Sequence, residues 1–252
     1  MKREYWNGLA NRYETEVFDV LGNDKKHLIL GLVKKYGSSG KTASDYGCGP
    51  GKFLPILSKN FGQVNAIDIS YKFIEQTKKK YKHLSNIKYQ TADLAKAGLK
   101  LEKTHFALSV NMLIMPALAC RVRILDVMTK HLLKNGHLVL VVPSLESAEL
   151  ANFRLIEWNL RIGVKPSYAV REVFGDAKRP DYLNLCQGVV PVDGVPTKHY
   201  LKEELAAELS SRGMRVVDIR KIEYLWDTEF ERPPKWMKEP YPWDWLVVAR
   251  KK

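Results

Sequence analysis

Between Thr42 and Ser70 the chain reads TASDYGCGPGKFLPILSKNFGQVNAIDIS, and no other stretch constrains the fold as strongly. An apolar run ends in Asp45 and Tyr46, and Gly47, Gly49 and Gly51 fall within the next five residues. A second apolar run ends in Asp68, seventeen residues after Gly51. A turn that bare lets main-chain atoms approach a ligand at the C-terminal edge of a parallel sheet. A carboxylate closing the next strand can accept hydrogen bonds from both hydroxyls of a ribose. The expected ligand is a nucleoside.

The spacing narrows the choice. A dinucleotide fingerprint places its third glycine three residues after the second, whereas here the third comes after two, and position 52 is Lys. A phosphate-binding Walker loop is excluded too, because the glycine spacing is wrong and Phe53 stands where a magnesium-binding hydroxyl is needed. Asp45 in front of the loop is ill placed for a polyphosphate and suits a ligand carrying positive charge. A nucleoside with a cationic tail fits best.

Around this stretch, strand-like runs alternate with helical segments, the pattern of a doubly wound α/β unit with a mostly parallel sheet. Strands are predicted at 43–46, 64–69, 87–92, 106–112 and 137–142, and helices near 52–61, 71–83 and 120–133. The last of these helices is expected to close with Gly136 in the left-handed conformation. Residues 144–159 read as helix, and 163–197 as an insertion or lid without a clear period. A helix and two strands follow; they are expected to end the chain as an antiparallel hairpin, because the segment 225–241 offers no crossover helix.

With 252 residues and 45% hydrophobic content, one elaborated domain over 1–252 is expected. Its parts are an N-terminal helical cap (1–40), a cofactor-binding core (42–143), a lid or acceptor insertion (144–200) and C-terminal helix and strands (201–252). Lys and Arg exceed Asp and Glu by 41 to 28, a net charge of +13, which favours anionic partners, but the basic residues are scattered. The three cysteines, Cys48, Cys120 and Cys186, have no paired ligand spacing, so neither a disulfide framework nor a zinc site is expected, and no metal is assigned. The first residues lack an apolar signal core and the longest apolar run is too short for a bilayer, so a cytoplasmic protein without membrane insertion is expected.

DYGCGPG, followed by AIDIS and TADL, resembles the cofactor signature of class I S-adenosylmethionine-dependent methyltransferases, and the element order resembles that fold over residues 42–250. The resemblance implies a Rossmann-like, mostly parallel seven-stranded sheet with an antiparallel last strand. It implies S-adenosyl-L-methionine as cofactor and S-adenosyl-L-homocysteine as product. Carried over by position, Asp45, Gly47, Gly49 and Gly51 line the methionine part, Asp68 with Ile69 holds the ribose, Asp93 with Leu94 meets the adenine, and Asn111 sits beside the methionine ammonium.

Methyl transfer from a sulfonium is an in-line displacement in which the cofactor supplies the activated methyl group. The protein must mainly align the acceptor, and a base is needed only for an acceptor that starts protonated. The segment YWNGLANRYETEVFDV resembles the N-terminal helix capping the cofactor in small-molecule members such as the quinone-biosynthesis type. Trp6 and Tyr13, seven residues apart, are expected on one helical face toward the methyl. Within the lid, Trp158, Arg161, Tyr168, Arg171, Tyr182, His199 and Tyr200 are candidates to enclose the acceptor; Tyr13, His199 and Tyr200 are the candidate catalytic groups. The preferred reading is methylation of N, O or S on a small-molecule metabolite. Two alternatives stay open: an RNA (tRNA or rRNA) methyltransferase using the basic surface, and a non-catalytic cofactor-binding partner protein.

Overall fold

The computed structural model describes residues 3–13, 17–173 and 182–252. Its centre is a seven-stranded sheet built from β1 (Ser38–Tyr46), β2 (Phe61–Asp68), β3 (Ile87–Thr91), β4 (Thr104–Val110), β5 (Leu132–Pro143), β8 (Met214–Glu223) and β9 (Trp243–Lys251). The strands lie in the order β3-β2-β1-β4-β5-β9-β8. The first five are parallel; β9 runs antiparallel to both β5 and β8. Between β1 and β4 the chain changes its direction of travel across the sheet, which opens a crevice at the C-terminal ends of the strands.

Burial on both faces explains the near-continuous apolar run of β5. Val139 and Val141 join one core cluster, while Leu138, Leu140 and Val142 join the other. Helices α3 (Leu28–Tyr36) and α4 (Leu54–Asn60) cover the first face with Ile29, Leu32, Val33, Leu54 and Leu57. On the second face α6 (Leu118–Lys130) contributes Ile124, Leu125 and Met128, and α10 (Lys202–Ser211) contributes Leu205 and Leu209. Between β2 and β3, α5 (Tyr71–Lys80) starts at Ser70, whose hydroxyl accepts the amide of Phe73 at 3.3 Å.

Two short helices, α1 (Arg3–Leu9) and α2 (Val20–Asn23), precede α3. After β5 comes α7 (Leu145–Arg161), capped by Ser144, whose Oγ accepts the Ser147 amide at 3.0 Å. The segment expected as a lid then forms α8 (Pro166–Glu172), α9 (Tyr182–Cys186) and a separate hairpin of β6 (Val189–Val192) with β7 (Val195–Lys198). Its residues 174–181 lie outside the described residues. Among the described residues no helix is long and apolar enough to cross a membrane.

Two local expectations are corrected. The helix expected to run to Leu133 ends at Lys130, and Asn135, not Gly136, takes the left-handed conformation, with φ 66°. Leu132 already pairs with Thr104, and the register shift before Phe106 absorbs the extra residues, so this stretch is an irregularity in the β4–β5 ladder and not a helix cap. Trp6 and Tyr13 do not share one helix: α1 ends at Leu9, where the Arg12 amide donates to the Leu9 carbonyl at 2.8 Å in a turn.

The packing predicts that Leu140→Ala lowers unfolding free energy by about 2 to 5 kcal/mol, because the fully buried side chain leaves a cavity in the central layer. Chemical denaturation of both proteins measures the difference.

Candidate functional site

At the crevice the chain turns from β1 with Gly47, Gly49 and Gly51 all at positive φ. The amides of Gly47 and Cys48 both donate to the carbonyl of Ile67, at 2.8 and 3.0 Å, folding the loop against β2. A Cβ on Gly47 would stand 2.5 Å from Met112 Cγ, so a side chain there has no room. Gly51 has a different reason to be bare: its Cβ would meet Thr77 Cγ2 at 2.5 Å, and it lines neither cavity described below. The expectation that Gly51 borders the ligand is therefore corrected; it packs the loop onto α5.

Asp68 binds this loop to the next. Its Oδ2 accepts the Gly49 amide at 2.9 Å, and its Oδ1 accepts the Ser70 amide at 2.8 Å. Burial raises its carboxyl pKa, and hydrogen bonds from the amides of Ser70, Gly49 and Ile69 oppose that rise. Asp45 is more confined. It is 2% exposed, its Oδ2 has no hydrogen-bond partner, and burial followed by the nearby Asp68 charge pushes its pKa up to about 7. Across the crevice Asn111 sits at φ 48°, a conformation asparagine tolerates better than most residues. Its Nδ2 donates to Asp244 Oδ2 at 3.2 Å, while its Oδ1 is buried without a partner.

Two adjoining cavities open here. The smaller, about 400 Å³, is bordered by Asp68, Ile69, Asp93 and Leu94, with Asp93 Oδ1 accepting the Ala95 amide at 3.0 Å. The larger, about 780 Å³, takes in Asp45, Phe18, His199, Tyr224, Trp243 and Asp244. Trp6, Tyr13, Gly47, Val110 and Asn111 line both. Tyr13 packs edge-on against Phe73 at 5.1 Å, and burial, then the charges of Asp68, Asp19 and Asp45, push its pKa up to about 12. Its phenol is a donor at neutral pH and not a base.

His199 is buried, with Nδ1 3.0 Å from the Thr197 carbonyl, and burial lowers its pKa. A neutral ring whose Nδ1–H donates to that carbonyl keeps its Nε2 lone pair free. Tyr200 is corrected: it is 5% exposed, lines neither cavity, and its hydroxyl donates to the Leu113 carbonyl at 2.9 Å. Trp158, Arg161, Tyr168 and Arg171 also line neither cavity. Trp158 packs on Phe230, Arg161 stacks over Trp236 at 4.2 Å, and Tyr168 is exposed. The side chain of Tyr182 lies outside what is described. The lid reaches the larger cavity instead through Val192, Asp193, Val195 and Thr197 of the β6–β7 hairpin. Tyr224, Glu229, Trp243 and Asp244 were not singled out from sequence; the one signal was an acid inside the apolar run PWDWLVV.

A bare, acid-flanked loop at the switch point of such a sheet lies where open α/β folds bind their ligands. Residues 43–136 match the family model described as "Methyltransferase domain". Among solved structures, a SAM-dependent methyltransferase from Mesorhizobium loti is 20% identical, with 92% of this chain and 100% of that chain covered and a TM-score of 0.60. Magnesium protoporphyrin IX methyltransferase from Synechocystis PCC 6803, with bound S-adenosylhomocysteine, is 14% identical over 99% and 97% of the two chains, TM-score 0.61. N-methyltransferase NodS from Bradyrhizobium japonicum WM9, also with S-adenosylhomocysteine, is 13% identical over 98% of each, TM-score 0.58. Comparison with curated proteins gives no sequence match. Residues 43–136 thus carry the methyltransferase-domain match, and the chain as a whole has the fold of these SAM-dependent methyltransferases.

The electrostatics yield a pH prediction. Asp45 holds its proton more tightly in the fold, at about 7 against an ordinary 3.8, so the unfolded chain releases it first. Without cofactor, the contribution of Asp45 to stability is therefore fully present below the ordinary value and is lost as pH rises through that window. Asp45→Asn should flatten the fall, read as unfolding free energy against pH from denaturation series.

Proposed function

We propose that the chain moves the methyl group of S-adenosylmethionine to N, O or S of a small-molecule metabolite held in the larger cavity. The observation that carries this reading is the pair of chambers meeting at Trp6, Tyr13, Gly47, Val110 and Asn111. The residues present fit the cofactor. The smaller chamber offers Asp68, Asp93 and the apolar Ile69 and Leu94 to an adenosyl group. Asp68 Oδ2 accepts the Gly49 amide and Oδ1 the Ser70 amide, and a carboxylate has further lone-pair sites for a ribose hydroxyl. Gly47 and Gly49 would hold the methionine part, and the unpartnered oxygens of Asp45 and Asn111 would offer acceptors to its ammonium. Trp6 and Tyr13 form the wall shared by both ligands.

The bound cofactor supplies a methyl carbon already activated by its sulfonium. An acceptor lone pair forms the new bond to that carbon as the carbon–sulfur bond breaks, its electron pair going to sulfur. Chamber walls that fix the line of attack and exclude water supply the protein's share, about 7 to 11 kcal/mol for well-oriented reactants. His199 Nε2 takes the proton from an acceptor that carries one. The substrate named for one neighbour, magnesium protoporphyrin IX, is a small molecule, which supports the reading. The cysteines are unpaired, which supports a reducing compartment such as the cytoplasm.

Purified protein given cofactor with a labelled methyl, a metabolite extract and total RNA should label the small-molecule fraction. Label confined to tRNA or rRNA would instead establish the RNA reading that the +13 charge favours. Asp68→Ala should weaken S-adenosylhomocysteine binding by about 1.5 to 3 kcal/mol in calorimetry, the usual worth of hydrogen bonds to a charged group. Unaltered affinity would remove Asp68 from the site.

A further inference from the structure

The larger chamber has the opposite charge to the molecule around it. In a chain of net charge +13, it is bordered by Asp19, Asp45, Asp193, Glu229 and Asp244, of which Asp193 is exposed on the β6–β7 hairpin, and among its described lining the one Lys or Arg is Lys52. Lys52 is occupied, with Nζ 3.0 Å from Asp19 Oδ2. Asp45 lies on the glycine-loop side, next to the cofactor. That leaves Asp244 and Glu229 on the C-terminal wall, away from that loop.

Asp244 is 8% exposed, and its hydrogen bonds come from neutral donors, the Tyr224 hydroxyl at 2.9 Å and Asn111 Nδ2 at 3.2 Å. Both fall on Oδ2, leaving Oδ1 without either. Glu229 is solvent-exposed and lines the chamber, and among the described residues its carboxylate has no ion pair or hydrogen bond. The protein packed around each carboxyl raises both pKa values, and Asp244 further raises that of Glu229. For Asp244, a buried carboxylate without a counter-charge is costly, and the cost is recovered when a cation enters. The rings of Phe18 and Tyr224 line the same wall, edge-on to each other at 4.7 Å, beside Trp243, whose ring already carries Lys221 Nζ 3.5 Å from its centroid. Aromatic faces attract a cation as the carboxylates do.

We propose that the acceptor carries a protonatable amine, whose ammonium is neutralised by Asp244 and Glu229 and flanked by the aromatic wall. This rests on the larger chamber being the acceptor site. It narrows the acceptor class from any metabolite to cationic amines, and it excludes acceptors presenting a carboxylate or phosphate to that wall.

The test uses the full chain saturated with S-adenosylhomocysteine and matched probes: benzylamine, phenethylamine and hexylamine against benzyl alcohol, phenylethanol and hexanol, with phenylpropionate as the anion. Ligand-observed NMR titration should show each amine binding about tenfold or more tightly than its alcohol, with phenylpropionate weakest. In Glu229→Gln the preference should shrink while S-adenosylhomocysteine affinity stays within about twofold. Asp244→Asn should shrink it further, and Glu229→Gln decides alone if that variant does not fold. Alcohols or phenylpropionate binding as well as the amines, no amine binding to cofactor-loaded protein, or an undiminished preference in Glu229→Gln would each overturn the proposal. Those outcomes, with the cofactor bound and small molecules labelled, leave the methyltransfer reading standing; that reading fails on the labelling experiment.

Discussion

One carboxylate holds the ligand edge of this protein together. Asp68 accepts an amide from the loop after β1 and an amide from the loop after β2, one on each oxygen. Charge-assisted bonds of this kind are short and strong, and here they set the separation between two loops that no strand pairing reaches. The glycines make that arrangement possible by removing side chains from the approach, and Thr77 Oγ1 then donates to the Gly49 carbonyl at 3.0 Å to fasten the loop onto α5. The width of the smaller chamber is thus decided by a side chain that also faces into it.

The second organising theme is buried negative charge kept without lysine or arginine partners. Asp45, Asp68 and Asp244 are all nearly inaccessible, and each has its carboxyl pKa raised by burial. A fold selected for stability alone would replace such groups with apolar ones or pair them. Keeping them makes sense when the completing charge arrives with a ligand, and a sulfonium nucleoside with an α-ammonium brings two positive centres. The cost of burying those carboxylates is offset when a cationic ligand binds beside them.

Much of the core was legible because its signals are local. The spacing from Asp45 to Asp68 lies within one strand-turn-helix-strand unit, and the apolar alternation of β5 reports burial on both faces without knowledge of the neighbours. What escaped depends on contacts distant in sequence. Asn111 meets Asp244 across 133 positions, and no periodicity announces that pairing. Tyr200 read as a lid aromatic; the bridge between Ser144 and Tyr200, and its hydroxyl bond to the Leu113 carbonyl, turn it into the core instead. Gly136 read as a helix cap because glycine after a helical period usually is one, but strand pairing with β4 had already begun at Leu132.

The reversed direction of β9 has a wider meaning. Because it runs against β5, its first residues pair with the last of β5, Asp244 opposite Pro143, and so arrive at the rim where the parallel strands end. The sheet therefore draws on two unrelated stretches of chain at one edge, an early one bordering the smaller chamber and a late one bordering the larger. Each can diversify without disturbing the other, so descendants of such a scaffold are free to change what they modify while the donor stays the same.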